Sequence, residues 1–247
     1  MRKNIRLPLL AALCFILFFT TIAMASEFRA DVEQSREVTV RQGRIWVKDG
    51  TYRLEMEQPN GPDLYIIVGA KPGTTQVVLP SYKAYVEMPS DSFMSVMNDP
   101  FQSAEVTVKQ YAVKKEGKET VQGFNCERQL IHHQESGILH RWIASELGFP
   151  IKIEQLLKED YYVQLKNIEK RPIPKAQFQV PVGYTLKTEE QIQALIEADP
   201  AVAAKMAAYK KNRPRKSELR AMLSGGDTWN IVLTPGTKIR IKARPFG

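Results

Sequence analysis

Cysteine is nearly absent from this chain of 247 residues. Of its two cysteines, Cys14 lies in an apolar N-terminal run and Cys126 stands alone in the remainder. Residues 26–247 therefore cannot form an intramolecular disulfide, and the fold must be held by burial of apolar side chains. The sequence NCERQL around Cys126 is strand-like, which favours a buried thiol over a reactive one.

Motifs for catalysis are missing as well. The sequence has no Ser-His-Asp spacing, GxSxG elbow, HExxH helix or glycine-rich phosphate loop. If Ser136-Gly137 is a two-residue hairpin turn, His133 lies opposite His140 with β-carbons about 5 Å apart, which could hold a divalent metal or respond to acid. The simpler interpretation is that exposed hairpin positions tolerate histidine. We therefore predict no enzyme, no cofactor and no metal, with His133 and His140 as weak candidate ligands.

Residues 1–25 have the pattern of a secretory signal peptide. Cations at Arg2, Lys3 and Arg6 precede a long apolar run, and Ala23-Met24-Ala25 precedes Ser26. We expect cleavage after Ala25 and export to the periplasm, with a retained membrane anchor as the alternative. Leu13 stands where the lipid-modifying peptidase requires a small residue before Cys14, so a lipid anchor is not expected.

Most of the chain has no excess of charge of either sign. Residues 26–187 hold 21 Lys and Arg against 21 Asp and Glu, whereas residues 188–247 hold 11 against 6. A neutral main body gives no indication of nucleic-acid binding. The shift in charge predicts a boundary at 187, between a main domain (26–187) and a basic C-terminal extension (188–247).

The main domain is predicted to be mainly β. In GRIWVKDGTYRLEME, residues 43–57, apolar and polar residues alternate on both sides of Asp49-Gly50, which indicates a hairpin with one dry face. About ten such strands follow one another, EVTVKQYAV at 105–113 among them, and the only helix predicted between them is SDSFMSVM at 90–97 with Ser90 or Asp91 as its cap.

So many strands in one sheet must curl and enclose a space. The side chains predicted to face inward are Ile45, Val47, Leu54, Met56, Ile66, Val68, Val86, Met88, Val106, Val108, Ile151, Ile153, Val163 and Leu165. Periodicity leaves open whether they line a ligand cavity or form a filled core, because both need the same dry face.

Ordered segments of the main domain resemble a known family. They are FRADVEQ, GRIWVKDGTYRLEME, YIIVGAK, KAYVEMP, VQGFNCERQL, HRWIASELGFPIKIE and VQLKNIEKRPIPKAQFQVPVGYTLK, within residues 28–187. These segments are similar to the superfamily of periplasmic lipoprotein carriers and receptors, the LolA-like and LolB-like proteins, and above all to its outer-membrane lipoprotein-sorting-type branch. The resemblance implies a strongly curved antiparallel sheet, an incomplete barrel closed by helices, whose apolar concave face takes up acyl chains.

The resemblance assigns no individual functional residue. The LolB-like receptor is anchored by a lipidated N-terminal cysteine, which this chain lacks after its expected cleavage site. In the carrier branch an arginine pairs with backbone groups of a lid, and Arg53 and Arg141 are candidates here only because both lie in predicted strands.

The C-terminal extension follows a different pattern. A capping box at Thr188–Gln191, Asp199-Pro200 and Ser217 predict three helices, and a turn at 234–237 predicts a final hairpin. The candidate contacts to an anionic membrane surface are Lys210, Lys211, Arg213, Arg215 and Lys216, although a merely solvated basic face has the same composition.

Two classes of function remain open on the sequence. The first is a non-enzymatic periplasmic carrier or receptor for lipid or lipoprotein acyl chains. The second is an envelope sensor or scaffold that binds a protein partner through the same concavity or the basic extension, because some members of the superfamily bind an envelope-stress anti-sigma factor.

Overall fold

The computed structural model describes residues 26–36, 39–133, 137–156, 161–212, 229–234 and 237–241. The expected signal peptide, residues 1–25, lies outside them. The strands are β1 (Phe28–Arg36), β2 (Thr39–Lys48), β3 (Thr51–Met56), β4 (Tyr65–Lys71), β5 (Thr74–Leu79), β6 (Ala84–Pro89), β7 (Val113–Val121), β8 (Phe124–His133), β9 (Gly137–Ala144), β10 (Phe149–Leu156), β11 (Tyr161–Lys170), β12 (Thr185–Leu186), β13 (Trp229–Thr234) and β14 (Thr237–Ile241). The helices are α1 (Phe93–Asn98), α2 (Pro100–Gln110), α3 (Glu189–Glu197) and α4 (Pro200–Asn212). Within these ranges, no helix has the length and apolarity needed to span a bilayer.

Twelve strands form one sheet in the order β12-β6-β5-β4-β3-β2-β1-β11-β10-β9-β8-β7. All neighbours pair antiparallel except β12, which adds two parallel residues to β6. The end strands, β12 and β7, do not pair with each other in the described chain, so the sheet is not closed. The prediction of a mainly β incomplete barrel with accessory helices is confirmed.

Two aromatic residues demonstrate how strongly the sheet curves. Tyr52 on β3 and Phe149 on β10 are separated by three intervening strands, which in a flat sheet corresponds to about 19 Å. Their ring centroids nevertheless lie 5.7 Å apart. The face that carries both rings is therefore concave, and the two halves of the sheet fold toward each other across it.

The first hairpin forms as its sequence predicts. Asp49 and Gly50 have φ values of 52° and 78°, the left-handed conformation that a two-residue hairpin turn requires and that Gly adopts without strain. Ile45 then pairs with Leu54, and Val47 pairs with Tyr52. All four side chains are buried on the concave face.

One predicted strand is wrong. The segment EVTVKQYAV at 105–113 belongs to helix α2 up to Gln110, and β7 begins only at Val113. Val106 and Val108 are therefore helix residues rather than strand residues. The predicted helix at 90–97 is present as α1, but its cap is Ser92, whose side chain accepts a hydrogen bond from the amide of Ser95.

The convex face of the sheet is covered in part by the chain that follows β11. Ile173 and Phe178 pack there against Tyr65, Ile67 and Val78. Strand β4 is consequently buried on both faces, which accounts for its unbroken apolar run from Tyr65 to Val68. The concave face remains the one that carries the main core.

The first part of the C-terminal extension is docked on the sheet. The capping box at Thr188 and Gln191 is present at the start of α3, and Asp199 caps α4 as predicted. Ile192 of α3 is buried in a second apolar cluster on β5 and β6. The terminal hairpin is also present, as β13 and β14. The helix predicted from Ser217 lies outside the described residues, and the domain boundary at 187 stays a prediction.

Candidate functional site: a covered apolar concavity

Most of the residues predicted to face inward lie on the concave side of the sheet, whereas Val106 and Val108 lie on helix α2. Twelve of the fourteen lie on strands, and each of these twelve is at most 8% exposed. Ten belong to the central apolar cluster, and Val86 and Met88 belong to the cluster beneath α3. In this conformation the nominated strand positions are packed core beneath helices, and Met56 among them also borders an open cavity.

Helix α2 is the cover of the central part of the concavity. Asp99 caps it and Pro100 occupies its first turn, a combination that starts a helix. Phe101 and Ala104 are buried against the sheet, and Val108, one turn further, packs partly against the same cluster. The ring of Phe101 lies 5.2 Å from that of Phe149. The cover therefore contacts the core through one narrow stripe of side chains.

The N-terminal end of α2 is attached to the sheet by a buried polar contact. Asp99 is fully buried; one carboxylate oxygen accepts a hydrogen bond from the Tyr52 hydroxyl, and the other accepts from the amides of Phe101 and Gln102 at 2.9 and 3.2 Å. Burial raises the pKa of the Asp99 carboxyl to about 6, although these hydrogen bonds oppose the rise. Burial and the neighbouring Asp99 raise the pKa of Tyr52 as well.

The middle of α2 is attached to the far half of the sheet by a second polar contact. Arg141 on β9 donates to Glu105 at 2.9 Å and to Gln129 on β8 at 2.7 Å. The Arg141 side chain is only 10% exposed, whereas that of Glu105 is 48% exposed. The ion pair is thus buried at the sheet and open to water at the helix, and Arg141 keeps its hydrogen bond to Gln129 if the cover parts from it.

Of the two candidate arginines, only Arg141 reaches the cover. Arg53 lies on the convex face, where its guanidinium stacks 3.6 Å from the ring centroid of Tyr65 and 5.6 Å from that of Trp46. It also donates to Gln177 in the segment after β11. Arg53 therefore stabilises the convex-face covering. Arg141 binds a side chain of α2, in contrast to the backbone contact expected from the resemblance.

A cavity at the edge of the sheet, called the rim cavity below, opens where β2, β3 and β4 meet the loop 57–64, and it is lined in part by Arg53 and Tyr65 of the convex face. Its volume is about 620 Å³, and the residues that line it include Met56 and Leu64. Both side chains also belong to or pack against the central cluster. Gln42, Arg44, Glu57 and Asp63 form its polar wall. The apolar core is therefore only one side chain, Met56, away from a solvent-open space.

A second cavity lies on the convex side and has a different character. Its volume is about 520 Å³, and it lies between strands β4 to β6 and the segment 175–180. Lys71, Gln76 and Glu87 contribute to its wall, and Lys71 and Glu87 form an ion pair. It does not reach any of the nominated inward positions.

Helix α1, adjacent to the cover, presents apolar side chains to solvent. Phe93, Met94 and Met97 are 74%, 47% and 59% exposed. Its inward contact is polar, because the buried hydroxyl of Ser95 donates to Thr75 at 2.9 Å. The chain from Phe93 to Gln110 thus combines an exposed apolar segment with the helix that covers the core.

The histidine arrangement predicted from the sequence is wrong. Strands β8 and β9 pair in a register that places His133 opposite Gly137 and His140 opposite Leu130. Three residues rather than two separate the paired positions His133 and Gly137 in the chain, and this shifts every pair along the hairpin. His140 is buried beside Trp142 and 3.6 Å from Glu116. Within the described ranges, no group of three His, Cys, Asp or Glu side chains is arranged to bind a metal.

The candidate membrane contacts are only partly described. Lys210 and Lys211 lie in the last turn of α4, where both are exposed. Arg213, Arg215 and Lys216 lie outside the described residues. Cys126 is fully buried, as expected, and burial raises the pKa of its thiol.

Comparison with known proteins gives one domain match and several distant structural likenesses. Residues 33–148 match a domain family described as a domain of unknown function, DUF4412. No curated protein matches the chain.

Solved structures similar to this chain include LolA-like proteins. An uncharacterized conserved protein from Thermus thermophilus has a TM-score of 0.47 and 11% identity, and the match covers 72% of this chain and 99% of that one. A LolA superfamily protein from Nitrosomonas europaea has a TM-score of 0.35 and 11% identity, covering 63% and 91%. In the Pseudomonas aeruginosa MucA/MucB complex, the TM-score is 0.41 and the identity 15%, and this chain covers 57% of the matched chain, with 64% of its own length. TM-scores this low assign no function.

Proposed function

We propose that the protein is a non-enzymatic, periplasmic binding or carrier protein for lipid or lipoprotein acyl chains, which it takes up on the concave face of the sheet. The observation that carries the proposal is the construction of the cover. One helix, α2, lies over the centre of a continuous apolar surface and is held there by a narrow apolar stripe and two polar contacts.

Uptake of an acyl chain would replace one apolar partner of the concave face, helix α2, by another. Displacing α2 exposes the central cluster, which is costly in water because each buried methylene contributes about 0.8 kcal/mol. An acyl chain that enters beneath the helix restores that burial and removes its own apolar surface from water. The helix needs only to shift, because its contacts to Arg141 and Tyr52 are single polar side-chain contacts.

The rim cavity supplies a route for the chain to enter. Met56 separates the open space of about 620 Å³ from the central cluster. Methionine side chains are unbranched and flexible, so Met56 can change rotamer to admit an apolar chain. The polar wall of the same cavity is suited to remain in contact with the headgroup and with water.

A second candidate function is binding of a protein partner. The observation that favours it is the exposed apolar segment on α1, where Phe93 is 74% exposed. Exposed aromatic and methionine side chains are enriched at protein interfaces. Replacing Phe93 and Met97 by Ser separates the two functions, because it removes the partner surface and leaves the concave face intact.

The export proposal rests on residues 1–25, whose pattern is that of a cleaved signal peptide. Determination of the N-terminal residue of protein isolated from the periplasmic fraction tests it. Ser26 at the N-terminus is the expected result. An intact Met1 in the membrane fraction would contradict it.

The experiment that tests acyl-chain binding is photo-crosslinking with a diazirine-labelled fatty acid, followed by peptide mapping. Crosslinks are expected in peptides containing Met56, Leu64 and residues 99–111, and unlabelled fatty acid should compete for them. Crosslinks confined to residues 175–180, at the convex-side cavity, would overturn the proposal. Lipid extraction from protein purified without detergent provides an independent measurement, in which acyl lipid is expected in stoichiometric amount.

A further inference from the structure

Asp99 occupies the joint of the chain that covers the concavity. It directly follows α1 and is the N-cap of α2, so the backbone changes direction at this residue. Its carboxylate accepts three hydrogen bonds, two from the first turn of α2 and one from the sheet. A single buried carboxylate therefore stabilises the helix and also ties it to β3.

Tyr52 is the residue of the sheet that binds Asp99 at this joint. Its ring packs edge-on against Phe101 of α2 and Phe149 of β10. The charged groups that face the pair are Glu105 on α2, which adds to the rise in the pKa of Tyr52, and Arg141 on β9, which binds Glu105. These two opposite charges pair with each other.

We propose that Asp99 and Tyr52 form an acid-tightened hinge, in which the cover, helix α2, is held most firmly when Asp99 is protonated and opens more often once Asp99 is ionised. The role in ligand exchange rests on the proposed function, since the cover would then release or admit acyl chains faster at neutral pH than in acid. The opening itself is a property of the chain without ligand.

The direction of the pH dependence follows from the surroundings of the Asp99 carboxyl when the cover is closed and when it is open. When α2 is in place, Asp99 is buried and its pKa is raised to about 6. When α2 lifts, water reaches the carboxyl, and its pKa falls toward the ordinary value of about 3.9. The contribution to closure is therefore fully present below pH of about 4 and is lost as the pH rises through about 6.

The size of the pH effect follows from the two pKa values of Asp99, about 6 with the cover closed and about 3.9 with it open. Between pH of about 5 and about 7.5, the ratio of open to closed cover is expected to increase about tenfold. The described histidine nearest in sequence to a contact of the cover is His140, which neighbours Arg141 on β9 and lies beside Trp142 and Glu116. Its pKa is lowered by burial and by the nearby Arg128, and these contacts do not include the cover.

The test is hydrogen exchange of the α2 backbone amides in the ligand-free, full mature chain, at pH 5 and pH 7.5, with correction for the intrinsic exchange rate. In the wild type we expect about tenfold less protection of residues 103–110 at the higher pH. Asp99→Asn keeps a side-chain acceptor for the helix cap but cannot ionise, so its protection should change less than about twofold. His140→Asn should keep the change of about tenfold.

Tyr52→Phe is the second variant, in case Asp99→Asn does not fold. It removes a hydrogen bond that favours the ionised carboxylate, so the midpoint of the pH dependence should move upward. The proposal is overturned if wild-type α2 has equal protection at both pH values, or if His140→Asn abolishes the change. Dissociation of a fluorescent fatty acid is measured separately. A pH-dependent cover with no fatty-acid binding would retain the hinge and refute the carrier function.

Discussion

The ring of Tyr52 on β3 lies 5.7 Å from the ring of Phe149 on β10, and the ring of Phe101 from the covering helix lies within 6.3 Å of both. This contact joins the two halves of a sheet whose end strands do not pair with each other in the described chain. The incomplete barrel is thus closed on the inside by aromatic packing rather than by strand pairing. The same packing places the helix α2 against the sheet.

Phe149→Ala should strongly destabilise the fold. The side chain is 9% exposed and contacts Phe28, Tyr52 and Phe101, and loss of such a buried phenylalanine costs about 3–5 kcal/mol. The free energy of unfolding in urea measures the change. Phe93→Ala is the matched control, because Phe93 is 74% exposed and its loss should change stability by less than about 0.5 kcal/mol. Equal effects of the two substitutions would contradict the aromatic closure.

Glu105 and Arg141, which form the ion pair on the cover, should contribute differently to the stability of the fold. Glu105→Ala should cost less than about 1 kcal/mol of stability, because Glu105 is half exposed and Arg141 keeps its bond to Gln129. Arg141→Ala should cost about 1–3 kcal/mol, because the side-chain oxygen of the buried Gln129 loses its donor.

The two variants should differ in stability but act alike on the release of a bound ligand. Both substitutions release the middle of α2, so both should increase the dissociation rate of a bound fluorescent fatty acid, which stopped-flow displacement measures. Glu146→Ala, which removes an exposed ion pair to Lys170 and truncates a side chain about as exposed as that of Glu105, is the control. If Glu105→Ala leaves the dissociation rate unchanged, the Arg141–Glu105 contact does not hold the cover.

Local patterns predicted the strands well and the cover poorly. The hairpin turn at Asp49-Gly50 and the alternation around it define the register from short-range chemistry alone. In α2, Val106, Thr107 and Val108 are β-branched, which favours a strand prediction. Burial of Phe101 and Ala104 against the sheet outweighs that preference. The signal that could have found α2 is Asp99-Pro100, the same pair that correctly predicts α4 at Asp199-Pro200.

The polar contacts between the cover and the sheet could not be predicted from the sequence, for a different reason. Tyr52 and Asp99 are 47 residues apart, and Arg141 and Glu105 are 36 apart. No periodicity relates residues across such a separation, because the pairing depends on how far the whole sheet curves. Likewise, the register of His133 and His140 depended on the number of residues between the paired strands β8 and β9, and a change of one residue moves every opposite pair.

Gly43→Ala should disturb the rim of the concave face. A β-carbon at Gly43 would lie 2.2 Å from the carbonyl oxygen of Glu55 and 2.4 Å from the sulfur of Met56, so Met56 and the neighbouring strand must shift, at a cost of about 1–3 kcal/mol. Displacement of Met56 should also weaken fatty-acid binding at the rim cavity. Gly61→Ala is the control, because a β-carbon there meets nothing within 4 Å. Fluorescence titration and thermal unfolding of both variants provide the measurements.

The basic C-terminal extension is expected to contact an anionic membrane surface. Lys210 and Lys211 lie on the last turn of α4, within an extension of 11 cations against 6 anions. Electrostatic attachment must weaken with salt, because the Debye length falls to about 10 Å at 0.1 M. Lys210→Glu with Lys211→Glu should therefore reduce co-sedimentation with phosphatidylglycerol vesicles at low salt, and high salt should remove the difference. The same change of charge at the exposed Lys109 and Lys118, outside the extension, serves as the control. If both double variants lose binding equally, attachment reflects net charge alone, and the extension is only a solvated basic face.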